Sequence, residues 1–218
     1  MKNKALNRFA IVCLGLLLNL ICLNTRAQGG TNAKTGVSDT DVIAAIHAAN
    51  ISIVEFETLW AKPSNQRREF NKALLDTFQD PKFQDPKISN LGQCEAAYCL
   101  GELRASEAAN VLGAKISLAL NTGKRSLIYY NFPNPEITEH PVMHALIKIG
   151  NPSIPAVIRN LAESDDAKVR ELSLTALYHI DGDKDITQLR LQKALKAEKD
   201  LQKQARLQAA LKSLSEIK

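Results

Sequence analysis

Apolar residues recur every three or four positions along most of the chain after residue 38, which is the spacing of a single buried helix face. Breaks rich in Pro, Gly, Asn and Asp separate these stretches. The segment 51–60 carries β-branched residues that would suit a strand, but its apolar positions also fit one helical face. The pattern therefore predicts an all-α chain, with helices over about 38–49, 51–60, 65–79, 91–103, 106–120, 138–149, 154–162, 165–180, 185–197 and 200–214.

Several of these helices end in similar sequences. The segment Ala145–Asn151 is matched 31 residues later by Ala176–Gly182, a further 34 residues on by Ala210–Leu214, and 46 residues earlier by Cys99–Leu103. A short turn and a second apolar helix follow each of the first three copies. Helix pairs repeated at this period predict an α-solenoid, because each pair can bury its apolar faces only against its neighbours.

The repeats also carry the residues of a known family. Two stretches resemble the HEAT-repeat pattern. One is Asp166-Ala167-Lys168-Val169-Arg170, followed by Ala176-Leu177 and Ile180-Asp181-Gly182-Asp183. The other is Gly150-Asn151-Pro152 before Ile154–Ile158. The closest variety is the short bacterial, phycobilisome-lyase-like type, and the resemblance covers about residues 91–217. It implies a stack of antiparallel helix pairs. It implies little about activity, because one fold supports many functions.

The start of the chain has the pattern of a secretory signal peptide. Basic residues precede an apolar run, Phe9–Leu23, and Thr25 and Ala27 are the small residues before a cut at Gln28. The run is shorter than the ~20 residues of a spanning helix. We therefore expect a signal peptide over 1–27, a flexible leader over 28–38 and one helical domain over 39–218, in a protein that is periplasmic or secreted. An uncleaved leader that anchors the chain to a membrane is the alternative.

Charge is distributed unevenly. The chain has 28 basic and 23 acidic residues, and four of the basic ones lie in 1–27, so the predicted mature chain has 24 basic and 23 acidic residues, net +1. Nucleic-acid binders show a basic footprint over the whole domain, so we expect no nucleic-acid partner. Nine basic and four acidic residues lie in 184–218, net +5, which leaves 28–183 at net −4. This basic end is either a solvated terminal cap or a dock for an acidic partner or membrane surface.

Three groups of residues are candidates for chemistry, and each has a simpler interpretation. Cys94 and Cys99 lie five residues apart in one predicted helix, too far around the axis for a ready disulfide, and are expected to be buried thiols. His140 and His144 have the spacing of two metal ligands, but Pro141 breaks the shared face. The segment 181–185 imitates a calcium loop, but the loop glycine and the final Glu are missing, so its aspartates are expected to cap a helix.

The sequence therefore predicts no catalytic residues, no metal and no cofactor. The residues 123–125 do not form a phosphate-binding loop, and no group of nucleophile, base and acid is apparent. The expected function is that of a non-catalytic scaffold that binds another protein. A cofactor-handling or lyase-like enzyme related to bilin lyases, or a structural envelope protein held at a membrane, are the alternatives.

Two sets of residues are the candidate binding positions. Tyr129, Tyr130 and Phe132 lie in a long loop between repeats, where aromatic side chains either anchor a partner or cover the core. The second set, Lys196, Lys203 and Arg206, lies in the basic C-terminal helix pair.

Overall fold

The structure is a computed structural model that describes residues 37–85, 87–121 and 139–216. In these ranges the chain forms ten α-helices, short 3-10 turns and no strand. The prediction of an all-α fold is therefore confirmed. The helices are α1 (Asp39–His47), α2 (Ile53–Ala61), α3 (Arg68–Gln79), α4 (Leu91–Glu102), α5 (Ala109–Gly113), α6 (Pro141–Ile149), α7 (Ile154–Glu163), α8 (Ala167–Asp181), α9 (Lys184–Ala197) and α10 (Leu201–Glu216).

Side chains just before the helices fix several of the starts. Ser38 and Ser52 each form a reciprocal capping box, with Asp41 and Glu55 respectively, so α1 and α2 begin as local sequence dictates. The short helix predicted over 51–60 is confirmed. Asp183 accepts hydrogen bonds from the first backbone N–H groups of α9, as expected for the segment 181–185.

Alternate helices of the middle of the chain lie against one another: α4 packs on α6 and α6 on α8, which form one row, and α5 packs on α7, which form a second row. Successive helices also pack on each other, α3 on α4 and α7 on α8. The core is made by the buried faces of these helices, and α4 is buried on all sides from Gly92 to Gly101. Leu177 of α8 is fully buried, as predicted from the sequence pattern. The last helix departs from this order, because α10 packs mainly on α7 and α9 and only slightly on α8.

Glycines allow both rows to approach closely. A Cβ added to Gly101 of α4 would lie 2.5 Å from the Cα of Ala145 on α6. One added to Gly113 of α5 would lie 2.7 Å from the Cβ of Ala156 on α7. Real Cβ atoms do not approach this closely, so these two contacts require glycine.

Three predicted boundaries were wrong. The helix expected over 65–79 begins at Arg68 after a separate 3-10 turn, because Arg67 donates to the carbonyl groups of Lys62 and Trp60 and so caps α2. The helix expected over 138–149 begins at Pro141, which suits a first helical position and keeps the residue before it out of the helical region.

The helix expected over 106–120 is divided into a 3-10 turn and the short α5, which ends at Gly113. At Gly113 the carbonyl oxygen accepts a hydrogen bond from the Asn160 side chain of α7 at 2.8 Å. The last residues of the expected helix are held by a reciprocal pairing 31 residues apart. The Asn121 backbone N–H donates to the Asn90 side chain at 2.9 Å, the Asn90 backbone N–H donates to the Asn121 side chain at 3.1 Å, and the Asn90 side chain donates to the Ala119 carbonyl at 2.8 Å. This pairing holds 119–121 outside a helix.

Some predicted features lie outside the described residues: the signal peptide over 1–27, most of the leader over 28–38, and the three loop aromatics Tyr129, Tyr130 and Phe132. Within the part of the chain that the structure describes, we find no helix with the length and apolar character needed to span a bilayer.

Candidate functional site

One face of α9 combines exposed apolar and basic side chains. Ile186, Leu189, Lys193 and Lys196 follow one another at intervals of three and four residues, so they share one side of the helix. Ile186 is 47% exposed and Leu189 is 66% exposed, and both lysines are exposed. Among the described residues, neither lysine has an acidic partner. These four residues are called the α9 stripe below.

The other side of α9 is held firmly in place. Thr187 and Leu191 are buried against the rest of the fold. The Arg190 guanidinium pairs with Asp181 at the end of α8, with Nη2 and Oδ1 2.9 Å apart, and the Asp181 side chain is almost fully buried. The α9 stripe is therefore presented on a rigid helix, which lowers the entropic cost of binding a partner.

The other two predicted basic residues are used inside the molecule. Lys203 Nζ lies 2.6 Å from Glu163 Oε1, and this hydrogen bond raises the pKa of Lys203. Arg206 donates to the carbonyl groups of Ala162 and Glu163 at 3.2 and 2.8 Å, and its other Nη pairs with Asp165. The carbonyls at the end of a helix have no partner within it, so Arg206 caps α7 from α10.

Lys196 is thus the member of the predicted basic set that faces solvent without an acidic partner in the described chain. Its neighbours in the stripe, Ile186, Leu189 and Lys193, were not singled out from the sequence. Their three- and four-residue spacing can be seen in the sequence, but the buried faces of helices have the same spacing. Which face of α9 meets the core depends on α8 and α10.

A second polar cluster lies between α4 and α6. Glu102 Oε1 lies 3.1 Å from His144 Nε2 and 3.1 Å from Lys148 Nζ. Burial by itself would raise the pKa of Glu102, but the hydrogen bonds from His144 and Lys148 outweigh it and lower the pKa. The His144 ring also stacks on Tyr98 with centroids 5.8 Å apart. These contacts join two buried helices, so the cluster stabilises packing.

The two cysteines lie in α4 as free, buried thiols. Burial, reinforced by the negative charge of Glu95, raises the pKa of Cys94 to about 12. Burial likewise raises the pKa of Cys99, with smaller contributions from Glu95 and Glu102. Because the thiolate is the reactive form, both side chains are poor nucleophiles and poor metal ligands.

The predicted histidine pair is separated by the start of α6. His140 precedes the helix, while His144 is buried and bound to Glu102. Burial and the positive charge of Lys168 lower the pKa of His140, opposed by the weaker effect of Glu139. In the described ranges, no cluster of three or more His, Cys, Asp or Glu side chains has the arrangement of a metal site.

No family model, curated protein or solved structure matches the chain.

Proposed function

We propose that the chain is an exported, non-catalytic HEAT-like repeat protein that binds another protein through the α9 stripe. The observation that carries this proposal is the exposure of Ile186 and Leu189 on one helix face beside two lysines without acidic partners in the described chain. Protein interfaces commonly combine an apolar centre with charged edges that select the partner. The chemistry of the stripe fits an acidic surface with an apolar centre.

The HEAT-like solenoid is supported by contacts between successive repeats. The close approach of Gly101 to Ala145 joins α4 to α6, and that of Gly113 to Ala156 joins α5 to α7. These pairs lie in the first and second helices of neighbouring repeats. In such an array, partners bind along faces formed by side chains of successive units.

Export is supported by the pattern of residues 1–27. The test is the mass of the native protein recovered from the cell envelope or medium. A chain that starts at Gln28 is expected, and an intact leader would favour the membrane-anchored alternative.

Binding can be tested by capture from envelope extract with purified bait proteins. The variant Leu189→Ser/Lys196→Gln removes one apolar and one basic contact from the stripe. The matched control, Leu201→Ser/Lys212→Gln, makes the same chemical changes on α10, where Leu201 is 81% exposed and Lys212 is exposed. Because all four positions are exposed, we expect both variants to melt close to the wild type.

The stripe variant should lose the captured partner, while the control should retain it. Binding of the partner to the wild-type bait should also weaken as the salt concentration is raised, since exposed charges are screened. A partner captured equally by the wild type and by both variants would overturn the proposal that the α9 stripe is the binding surface.

A further inference from the structure

We propose that the partner of the α9 stripe is the acidic surface formed by α1 and α2 of a second copy of this chain. This inference rests on the proposed function, because it identifies the partner of the same surface. It follows from charge, exposure and packing at the two ends of the helical array.

The first two helices are acidic. Residues 37–61 contain four carboxylates, Asp39, Asp41, Glu55 and Glu57, and no Lys or Arg. Lys62 pairs with Asp39 at 2.7 Å, and the Arg67 guanidinium lies over the Trp60 ring, 5.4 Å from its centroid, so residues 37–67 carry net −2. The last two helices have the opposite sign. Residues 184–216 contain eight basic and four acidic residues, net +4.

Each end also exposes apolar side chains beside its charges. On α2, Glu57 is exposed and lies three residues from Val54, which is 55% exposed, and three residues from Trp60, which is 48% exposed. Glu57 has no basic partner among the described residues. The α9 stripe has the matching arrangement, with exposed apolar residues next to lysines. Pairing the two surfaces would place apolar groups against apolar groups and the carboxylate near an amine.

A single molecule does not pair these surfaces with each other. The described contacts join α1 to α2 and α3, and they join α2 to α4 through the Phe56 and Tyr98 rings, whereas α9 and α10 contact each other, α7 and α8. Two different, complementary surfaces on one chain form a heterologous interface, which produces rings or open chains of subunits. The α9 stripe is a poor partner for itself, because its lysines would face lysines.

Sedimentation velocity of the purified protein tests this directly. At about 50 mM salt the wild type should form species larger than a monomer as concentration rises, and about 500 mM salt should reduce them because the Debye length falls below ~5 Å. The stripe variant Leu189→Ser/Lys196→Gln should stay monomeric. The variant Val54→Ser/Glu57→Gln, which alters the α2 surface, should also stay monomeric. The control Leu201→Ser/Lys212→Gln should associate like the wild type.

An equal mixture of the two defective variants is the decisive sample. Each variant keeps one intact surface, so the mixture should form a dimer and stop there, since the remaining surfaces are both altered. Melting curves close to that of the wild type would confirm that the variants are folded.

A wild type that stays monomeric up to ~200 μM, or a mixture that fails to dimerise, would overturn the inference. Self-association that survives the α2 variant would also overturn it. If the wild type is monomeric but capture from extract still depends on the α9 stripe, the proposed function stands, and only the identification of the partner as a second copy of the chain is wrong.

Discussion

The contact between Gly101 and Ala145 allows a sharp test of how the two rows pack. Replacing Gly101 by Ala improves helix propensity by about 0.8–1 kcal/mol, so an exposed site would gain stability. At this buried site the new Cβ would lie 2.5 Å from the Ala145 Cα and 3.3 Å from its carbonyl oxygen. Comfortable carbon–carbon contact is ~3.5–4.0 Å, so α4 and α6 must separate by about 1 Å.

That separation weakens every contact along the interface between α4 and α6. Overpacking a core costs about 1–3 kcal/mol, occasionally more, and an overlap of about 1 Å with a backbone atom belongs in the upper part of that range, at ~2–3 kcal/mol. After subtraction of the gain in propensity, about 0.8–1 kcal/mol, we expect Gly101→Ala to destabilise the fold by about 1–2 kcal/mol net. For a domain of this size, that corresponds to a fall in melting temperature of roughly 2–8 °C. Urea unfolding followed by circular dichroism measures the change.

The second close approach supplies the matched control. An added Cβ at Gly113 meets the Ala156 Cβ at 2.7 Å, but the Ala156 Cα lies 3.8 Å away. Gly113→Ala should therefore be rescued by Ala156→Gly, which removes the only close atom. Gly101→Ala should not be rescued by Ala145→Gly, because the Ala145 backbone remains at 2.5 Å. Double-mutant cycles separate these couplings from the propensity cost of each new glycine.

The reasoning is refuted if Gly101→Ala melts at or above the wild-type temperature. It is also refuted if the Gly101/Ala145 cycle and the Gly113/Ala156 cycle give the same coupling energy. The loss of stability would then not depend on whether the nearest atom is a backbone atom or a methyl group.

Four further outcomes are expected. Leu177→Ala should cost about 2–5 kcal/mol in urea unfolding, since the side chain is fully buried and a cavity remains; an unchanged midpoint would contradict this. Arg206→Ala should lower the free energy of unfolding by about 1–3 kcal/mol in the same measurement, because two carbonyl groups at the end of α7 lose a charged donor. A loss of binding with unchanged stability would show that Arg206 contacts a partner instead. Cys94 and Cys99 should resist alkylation at pH 8 until the protein is unfolded, because burial raises the pKa of both thiols. Peptide mass mapping of the labelled sites measures this, and labelling of the folded protein would contradict burial. The pKa of Glu102 is lowered in the folded state, so its contribution to stability should be present above about pH 4.3 and be lost as pH falls through its folded pKa. The melting temperature of Glu102→Gln should therefore differ most from the wild type near neutral pH and approach it in acid, and a difference independent of pH would refute this.

Local signals predicted the helices and several of their starts. Ser38 and Asp183 each bond to backbone groups within three residues, so short sequences suffice to place these two caps. Burial of Leu177 was predicted from the sequence, because Leu100 and Leu146 stand at the matching positions of similar segments, and all three side chains are fully buried. Structural features that depend on one short stretch of sequence, or on its repetition, can be predicted from the sequence alone.

Features that depend on distant partners were missed. Residues 119–121 are held outside a helix by the pairing of Asn90 with Asn121, which is 31 residues away. The link between Glu102 and His144 spans 42 residues and has no local signature. The start of α3 was misplaced because Arg67 uses its side chain on the preceding helix rather than beginning the next one. In each case a polar side chain had several possible partners, and only the packed fold selects one.

Because the packed fold selects the partner of each polar side chain, the net charge of a segment is a poor guide to the position of a binding surface. The basic end of the chain carries net +5 over 184–218, but that number treats every lysine and arginine alike. Arg206 is mostly buried and caps a helix, and Lys203 pairs with Glu163, so neither is available to a partner at low cost. Lys196 is available because it lies on a face of α9 that the rest of the described chain leaves open. A basic residue becomes a candidate for recognition once the fold has left its charge without a partner and has set apolar surface beside it, and the α9 stripe satisfies both conditions.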